Sequence, residues 1–211
     1  MARNSPPNLE PALTEGLKSL GLPVAAATRL LAFQAELEKW NFTYNLTAIR
    51  DPAEMVTRHL LDSLAVLPLL RGRVLDVGAG AGLPCIPAAI VAPELQITGL
   101  DSNGKKARFM RHAQRTLALS NFEVIEGRVE EVPPGKTYDI ITSRAFASLA
   151  DFFTLTRHLL APDGQWVAMK GKLDAQEQAA IPADVELVEV RALRVPGLQE
   201  ARHAVIARPR K

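Results

Sequence analysis

The feature that most constrains this chain is a change of hydrophobic period at Gly72. Before it, apolar residues recur at spacings of three and four; after it, short apolar runs alternate with helix-like stretches. The runs 74–77, 95–100, 122–125, 138–142 and 165–169 each suit a buried strand. With helices between them they form βαβ units on a largely parallel sheet. Two more strands, 185–190 and 201–207, flank a turn at Pro196-Gly197, and only one helix candidate (174–180) precedes the first. That pair is expected as a hairpin-like, antiparallel edge. The pattern predicts an α/β fold, a doubly wound, mostly parallel Rossmann-like sheet with an antiparallel C-terminal edge and a helical N-terminal extension.

In the extension, Leu30, Leu31, Phe33 and Leu37 mark one helix, with Pro23 where it could begin. Asp51-Pro52 is a good start for another, Asp51 as N-cap and Pro52 at the first helical position. Met55, Val56, Leu60, Leu64 and Leu67 then continue one apolar face. The intervening stretch 40–50 (WNFTYNLTAIR) is rich in Asn, Thr and aromatics and reads as a connection. Residues 1–71 are thus expected as an extension packed on a domain at 72–211. A length of 211 residues fits that division, at roughly 150 residues per domain.

Composition excludes several classes. With 47% hydrophobic and 23% charged residues the chain is ordinary globular material rather than intrinsically disordered. The single cysteine, Cys85, excludes an intrachain disulfide framework and a Cys-rich zinc site. No segment has the apolar character of a signal peptide, and no run approaches the ~18 apolar residues of a membrane span. A cytoplasmic protein is expected, with no membrane and no metal among its partners, and a monomer because nothing in the pattern demands a dimer. The net charge of +2 is too small to identify a nucleic-acid binder by itself.

The strongest local signal is Val74-Leu75-Asp76-Val77-Gly78-Ala79-Gly80-Ala81-Gly82. A buried strand ends in a carboxylate, and alternating glycines let the backbone turn sharply and approach a ligand. Asp101, 25 residues after Asp76, ends the next strand, where a carboxylate can accept hydrogen bonds from both ribose hydroxyls of a nucleoside. A dinucleotide loop would place its third glycine at position 83, which is Leu83 here. The form found suits S-adenosylmethionine, whose sulfonium and amino-acid end are favoured by a nearby carboxylate. The plain alternative is a Gly-rich strand–helix turn with no ligand. After the third strand, Glu126-Gly127-Arg128-Val129-Glu130-Glu131 falls where the adenine would lie.

On the substrate side, Ser143-Arg144-Ala145-Phe146-Ala147-Ser148 follows the fourth strand. It is neither the Asn/Asp-Pro-Pro-aromatic sequence of an exocyclic-amine methyltransferase nor the Pro-Cys of a cytosine-C5 enzyme. Cys85 reads as a small buried residue. His59, His112, His158 and His203 are scattered and suit surface or structural roles. Chemistry without a nucleophile is indicated, and guanine N7, with a lone pair and no proton, qualifies. On the helix after Asp101, Lys105, Arg108, Arg111, His112 and Arg115 share one arc, opposite Phe109, Met110, Ala113 and Leu117. Lys106 falls on the apolar side and fits poorly. A solvated charged face is the plain reading. Arg144, Lys170 and Lys172, however, follow other strands at the same sheet edge, and RNA phosphates would make sense of that convergence.

These residues carry a resemblance. The chain resembles the bacterial glucose-inhibited division protein B family, the small-subunit ribosomal RNA guanine-N7 methyltransferases. The matching stretches are Trp40-Asn41 with Tyr44-Asn45-Leu46-Thr47, Arg58-His59-Leu60-Leu61-Asp62-Ser63, and Asp76 through Pro84. They continue with Leu100-Asp101-Ser102 and Lys105, Arg128-Val129-Glu130-Glu131, Ser143-Arg144-Ala145-Phe146-Ala147 and Lys170-Gly171. The resemblance implies a Rossmann-like methyltransferase sheet and an S-adenosyl-L-methionine-dependent enzyme. Its substrate would be N7 of one guanine, at position 527, in 16S ribosomal RNA or the small ribosomal subunit. It also implies cofactor contacts at Gly78, Leu83, Val129, Glu130 and Arg144. Together the two lines assign Asp76, Gly78, Gly80, Gly82, Leu83, Asp101, Val129, Glu130 and Arg144 to the cofactor. Lys105, Arg108, Arg115 and Lys170 go to RNA, and Arg144 to catalysis beside cofactor and base. Cys85 stands where the family commonly has Gly, which bears on how the loop enters its helix. The rivals are a small-molecule methyltransferase on the same fold and a catalytically silent RNA-binding or assembly factor.

Overall fold

The structure, a computed structural model, describes residues 8–144, 146, 148–172 and 175–210. Ala145, Ala147 and Asp174, named above in a motif and at a helix start, lie outside the described residues, as do residues 1–7. Seven strands form one sheet: β1 (Arg73–Val77), β2 (Gln96–Asp101), β3 (Phe122–Glu126), β4 (Tyr138–Ser143), β5 (Leu160–Lys170), β6 (Val185–Leu193) and β7 (Arg202–Pro209). Their spatial order is β3-β2-β1-β4-β5-β7-β6. The first five are parallel; β7 runs antiparallel between β5 and β6. The expected antiparallel edge is therefore present, with the last strand inserted inside the pair's outer member. β6 leaves one strand position between itself and β5, and β7 folds back from it into that gap beside β5, where Val205 and Ala207 join the core.

Strand alternation distributes the apolar residues to two layers. Val74, Ile97, Ile140, Val167 and Met169 face one cluster; Leu75, Val77, Leu100, Ile141, Trp166 and Ala168 face the other. Over the second face lies α7 (Leu149–Thr156), contributing Phe152 and Phe153. Trp166 is fully buried there and donates its indole N–H to Thr156 Oγ1 at 2.8 Å, which meets the one polar demand of that side chain. Over the first face lie α5 (Cys85–Val91) and α6 (Gly104–Thr116), and over these the N-terminal helices α1 (Glu10–Ser19) and α2 (Ala27–Tyr44). This double cover explains the apolar run around α5, a helix whose residues Cys85–Ile90 are all buried.

The segment 40–50 is not all connection. Residues 40–44 complete α2, which ends at Asn45 in the left-handed region (φ 51°). Tertiary packing overrides the weak helix propensity of Asn, Thr and aromatics. Trp40 lies 5.7 Å from the Phe109 ring and 5.0 Å from the His112 ring, and Glu36 pairs with His112 at 2.6 Å. Downstream, Asp51 caps α3 (Pro52–Met55) by accepting from Ala53 N at 2.8 Å, as the pattern predicts. The helix then widens into a π-helical turn, Val56–Leu61, before the short α4 (Asp62–Leu64). Such turns accommodate one extra residue in a helix and are frequent at functional sites. The remaining short helix, α8 (Ala175–Ala179), precedes β6.

Candidate active site

Two acids from neighbouring strands staple the glycine loop. Asp76 at the end of β1 is fully buried and accepts from Cys85 N at 3.2 Å, where the loop passes into α5. Asp101 at the end of β2 accepts from Gly80 N at 2.8 Å and from Asn103 N at 2.8 Å. Asn103 in turn caps α6. The backbone N–H groups of Gly78 and Ala79 donate to Leu100 O, so the loop lies against β2. Gly78, Gly80 and Gly82 have φ of +71°, +60° and +79°, which L side chains rarely adopt. Their surroundings differ. A Cβ on Gly78 would meet nothing within 4 Å, whereas one on Gly82 would fall 2.3 Å from Ile86 Cδ1. Gly78 keeps a ligand space open; Gly82 permits close packing of loop on helix. Leu83 is buried beneath the loop, and the Leu83–Pro84 bond is cis. Cys85 enters the helix without strain that the structure reveals, and its thiol packs in the core beneath Gly99.

Beside the loop is a cleft of about 380 Å³ bounded by Gly78, Asp101, Val129, Glu130, Lys106 and Phe146. It brings together residues assigned from β1, β2 and the loop after β3. Lys106, which fits poorly on an apolar helix face, reaches into this cleft; that misfit was the available signal for it. The residues present suit S-adenosylmethionine. Gly78 leaves room for it, and Asp76 Oδ1 is buried without a hydrogen-bond partner. Burial raises the Asp76 carboxyl to about pH 6, partly offset by hydrogen bonds to Cys85 and the field of Arg144. A cationic ligand nearby would stabilise the ionised form.

A second cleft, about 360 Å³, opens at the C-terminal ends of β4, β5 and the start of β7. Arg144 lines this cleft and not the first, although its charge is felt by both Asp76 and His59. Facing it are Lys170 and, from segments distant in sequence, His59, Asp62 and Arg202. Asp62, 3% exposed, accepts from Arg202 Nε at 3.0 Å and Arg144 Nη1 at 3.5 Å. His59 is buried, and its ring is fully engaged. Nδ1 donates to Arg58 O at 3.1 Å, which leaves Nε2 to accept from the Thr47 hydroxyl at 2.8 Å. Burial, and then the charge of Arg144, lower its pKa to about 4. It is a neutral strut with no free nitrogen for proton transfer. Asp62 and Arg202 were missed as site residues; only the contiguous match at 58–63 pointed toward the first, and nothing marked the second.

The arc on α6 is partly spent on structure. Arg111 pairs with Glu126 at 2.7 Å and His112 with Glu36. Lys105, Arg108 and Arg115 are exposed, with no ion pair among the described residues. Arg115 sits in the last turn of α6, Lys105 and Arg108 nearer its start, and none of the three lines either cleft; the residue α6 gives to the first cleft is Lys106. Among the described residues no group of three His, Cys, Asp or Glu could hold a metal, and no helix is long and apolar enough to cross a membrane.

Comparison with known proteins agrees with this geometry. Among solved structures, TrmN from Thermus thermophilus superposes with a TM-score of 0.58 at 20% identity, covering 73% of this chain and 53% of that one. A SAM dependent methyltransferase from Aquifex aeolicus gives 0.56 at 19% identity, covering 74% and 93%. At that identity these show a methyltransferase fold and no more. Sequence relatives go further. Ribosomal RNA small subunit methyltransferase G of Chromohalobacter salexigens is 53% identical over 208 residues, 97% of this chain and 99% of its own. That of Xanthomonas campestris pv. campestris (strain B100) is 50% identical over 202 residues, 95% of each. The family model described as GidB, rRNA small subunit methyltransferase G, matches residues 26–206. The stapled glycine loop, the methyltransferase sheet and a likeness that runs through both clefts have one explanation: this chain belongs to the GidB family of rRNA small subunit methyltransferases.

Proposed function

We propose that the protein transfers a methyl group from S-adenosyl-L-methionine to N7 of a single guanine, position 527, of 16S ribosomal RNA. It would act in the cytoplasm, as a monomer, on the RNA or the small subunit. The observation that carries this reading is the pair of adjoining clefts. One is framed by the glycine loop and Asp101; the other is lined with Arg144, Lys170 and Arg202. When bound, the cofactor supplies an electrophilic methyl on a sulfonium. Gly78 gives it room, Asp101 has carboxylate lone pairs left for the ribose hydroxyls, and Val129 with Glu130 borders the adenine. Asp76 holds the loop's exit and presents negative charge beneath it.

Arg144, in the second cleft, orients the incoming nucleotide. Guanine N7 carries no proton, so the chain need supply no general base. His59, with both nitrogens engaged, is consistent with that. Placement supplies most of the acceleration. The exposed Lys105 and Arg108 extend the positive surface from the cleft along the RNA.

The test is to incubate the protein with methyl-labelled cofactor and 30S subunits from an undermethylated strain. The labelled base is then identified by mass spectrometry of nuclease fragments. Label at one N7-methylguanine is the expected result. Label on another base or position revises the substrate, and unlabelled RNA favours a silent assembly factor.

A further inference from the structure

The second cleft has a charge excess that its own residues do not neutralise. Asp62 spreads one negative charge over two guanidiniums, those of Arg144 and Arg202. The other cations at the rim have their own partners, Lys170 with Glu177 and Arg58 with Glu200. His59 adds no charge near neutral pH. One positive charge is left over in a partly enclosed space, where an anion is attracted more strongly than in open water. The unused N–H groups also matter. Arg202 spends Nε on Asp62 and Nη1 on Ala201 O. Arg144 spends only Nη1, on Asp62 and Arg58 O at 3.5 and 3.4 Å. Each guanidinium keeps an Nη2 without a protein partner among the described residues. Two planar forks held on opposite oxygens of one buried carboxylate suit a tetrahedral oxyanion.

We propose that this cleft is a phosphodiester site for the substrate RNA, in which Arg144 and Arg202, set apart by Asp62, grip one backbone phosphate beside the target nucleotide. The proposal rests on the rRNA reading above and deepens it. Asp62 is a positioning residue: it fixes two long side chains before the RNA arrives, so less rotamer freedom is lost on binding. The cleft shares no lining residue with the cofactor cleft, and Arg202 comes from the antiparallel edge, away from the glycine loop. This placement favours a phosphate over the other anion at hand, the carboxylate of the cofactor's methionine end.

The decisive measurement uses the full-length protein and undermethylated 30S subunits at constant magnesium. Subunit affinity is followed across a range of monovalent salt, and cofactor affinity is measured by calorimetry on the same preparation. Arg202→Gln is expected to weaken subunit binding about tenfold, in keeping with loss of one charge-assisted hydrogen bond. The slope of log affinity against log salt should become shallower by about 0.7, the share of one phosphate contact on single-stranded nucleic acid. Cofactor affinity should not move, which also shows that the variant is folded. An unchanged salt slope overturns the proposal even if binding weakens, because a merely structural role would not alter the number of released counterions. Weakened cofactor binding with an unaltered salt slope overturns it in favour of the methionine carboxylate. Asp62→Asn is expected to weaken subunit binding and Asp62→Glu to recover part of it; wild-type binding by Asp62→Asn removes the positioning role. Failure of the rRNA reading itself is seen separately, as wild-type protein that labels no subunit RNA.

Discussion

The two clefts are built by opposite means. Most of the wall of the cleft beside the glycine loop is short contiguous segments at the ends of parallel strands: the loop itself after β1, Asp101 after β2, Val129 and Glu130 after β3, with Lys106 of α6 and Leu155 of α7 closing it. The arginine cleft is assembled across the chain, with Asp62 paired to Arg144 and to Arg202 at separations of 82 and 140 residues. In the first, backbone geometry dominates, because left-handed glycines and N–H-to-carboxylate bonds set the shape. In the second, side-chain charge dominates. A backbone-built cleft announces itself in the sequence, whereas a charge-built one becomes visible only when the chain is folded.

Mutations should divide along the same line. The largest effect is expected in the second cleft: Arg144→Ala should lower the methyl-transfer rate by about 100-fold or more while leaving the fold intact. Circular dichroism together with single-turnover assay checks this, and near-normal turnover would remove Arg144 from the machinery.

Next comes the proton held at the floor of the loop. Since the Asp76 carboxyl titrates near pH 6, cofactor affinity should fall about tenfold per unit as pH drops below that value. Asp76→Asn should abolish the pH dependence. The sign for stability is the reverse. The ligand-free native state binds this proton more tightly than the unfolded chain, whose carboxyl lies near 3.8, so this group's contribution declines as pH rises from about 4 to 6. His59 acts in the opposite sense: held down to about 4 against 6.5, it adds stability as pH rises through that window. Asp76→Asn should accordingly gain about 3 kcal/mol on the wild type between pH 4 and pH 7, read from urea denaturation. A constant difference between the two proteins would show that the buried carboxyl is not perturbed.

A smaller pair of effects separates the two glycines. Gly82→Ala meets Ile86 and keeps a strained φ, so it should cost about 2 kcal/mol of stability. Gly78→Ala has open space and should cost about half as much stability, yet it should weaken cofactor binding because its methyl occupies the cleft. Equal behaviour of the two variants would break the distinction. The smallest effect is expected at the exposed helix face. Reversing Lys105 and Arg108 to Glu together should reduce subunit affinity severalfold, most at low salt, whereas Arg115→Glu should do little. A strong loss at Arg115 would move the RNA path to the far end of α6.

Several elements were legible before folding. The period change at Gly72, the Asp51-Pro52 start and the glycine loop between two strand-end acids each became the structure that its pattern implies. Three features were not. Residues 40–44 look like loop by propensity and are helix because Trp40 packs on Phe109 and His112. The π-helical turn at Val56–Leu61 has no sequence signature here, and it carries Arg58 and His59 to the second cleft. The arc on α6 reads as one basic face, but Arg111 and His112 are consumed by Glu126 and Glu36, which come from other elements.

The layered α/β sheet and the shape of the glycine loop were legible in the residues alone, because hydrophobic period, glycine conformation and strand-end acids act within a few residues of one another. Only the tertiary structure decided which charges are neutralised and which remain available. Asp62 becomes the shared counter-ion of Arg144 and Arg202 through the sheet order that brings β7 beside β5 and through the π-helical turn packed over it. Coulomb energy depends on distance and burial, and neither is written along a chain.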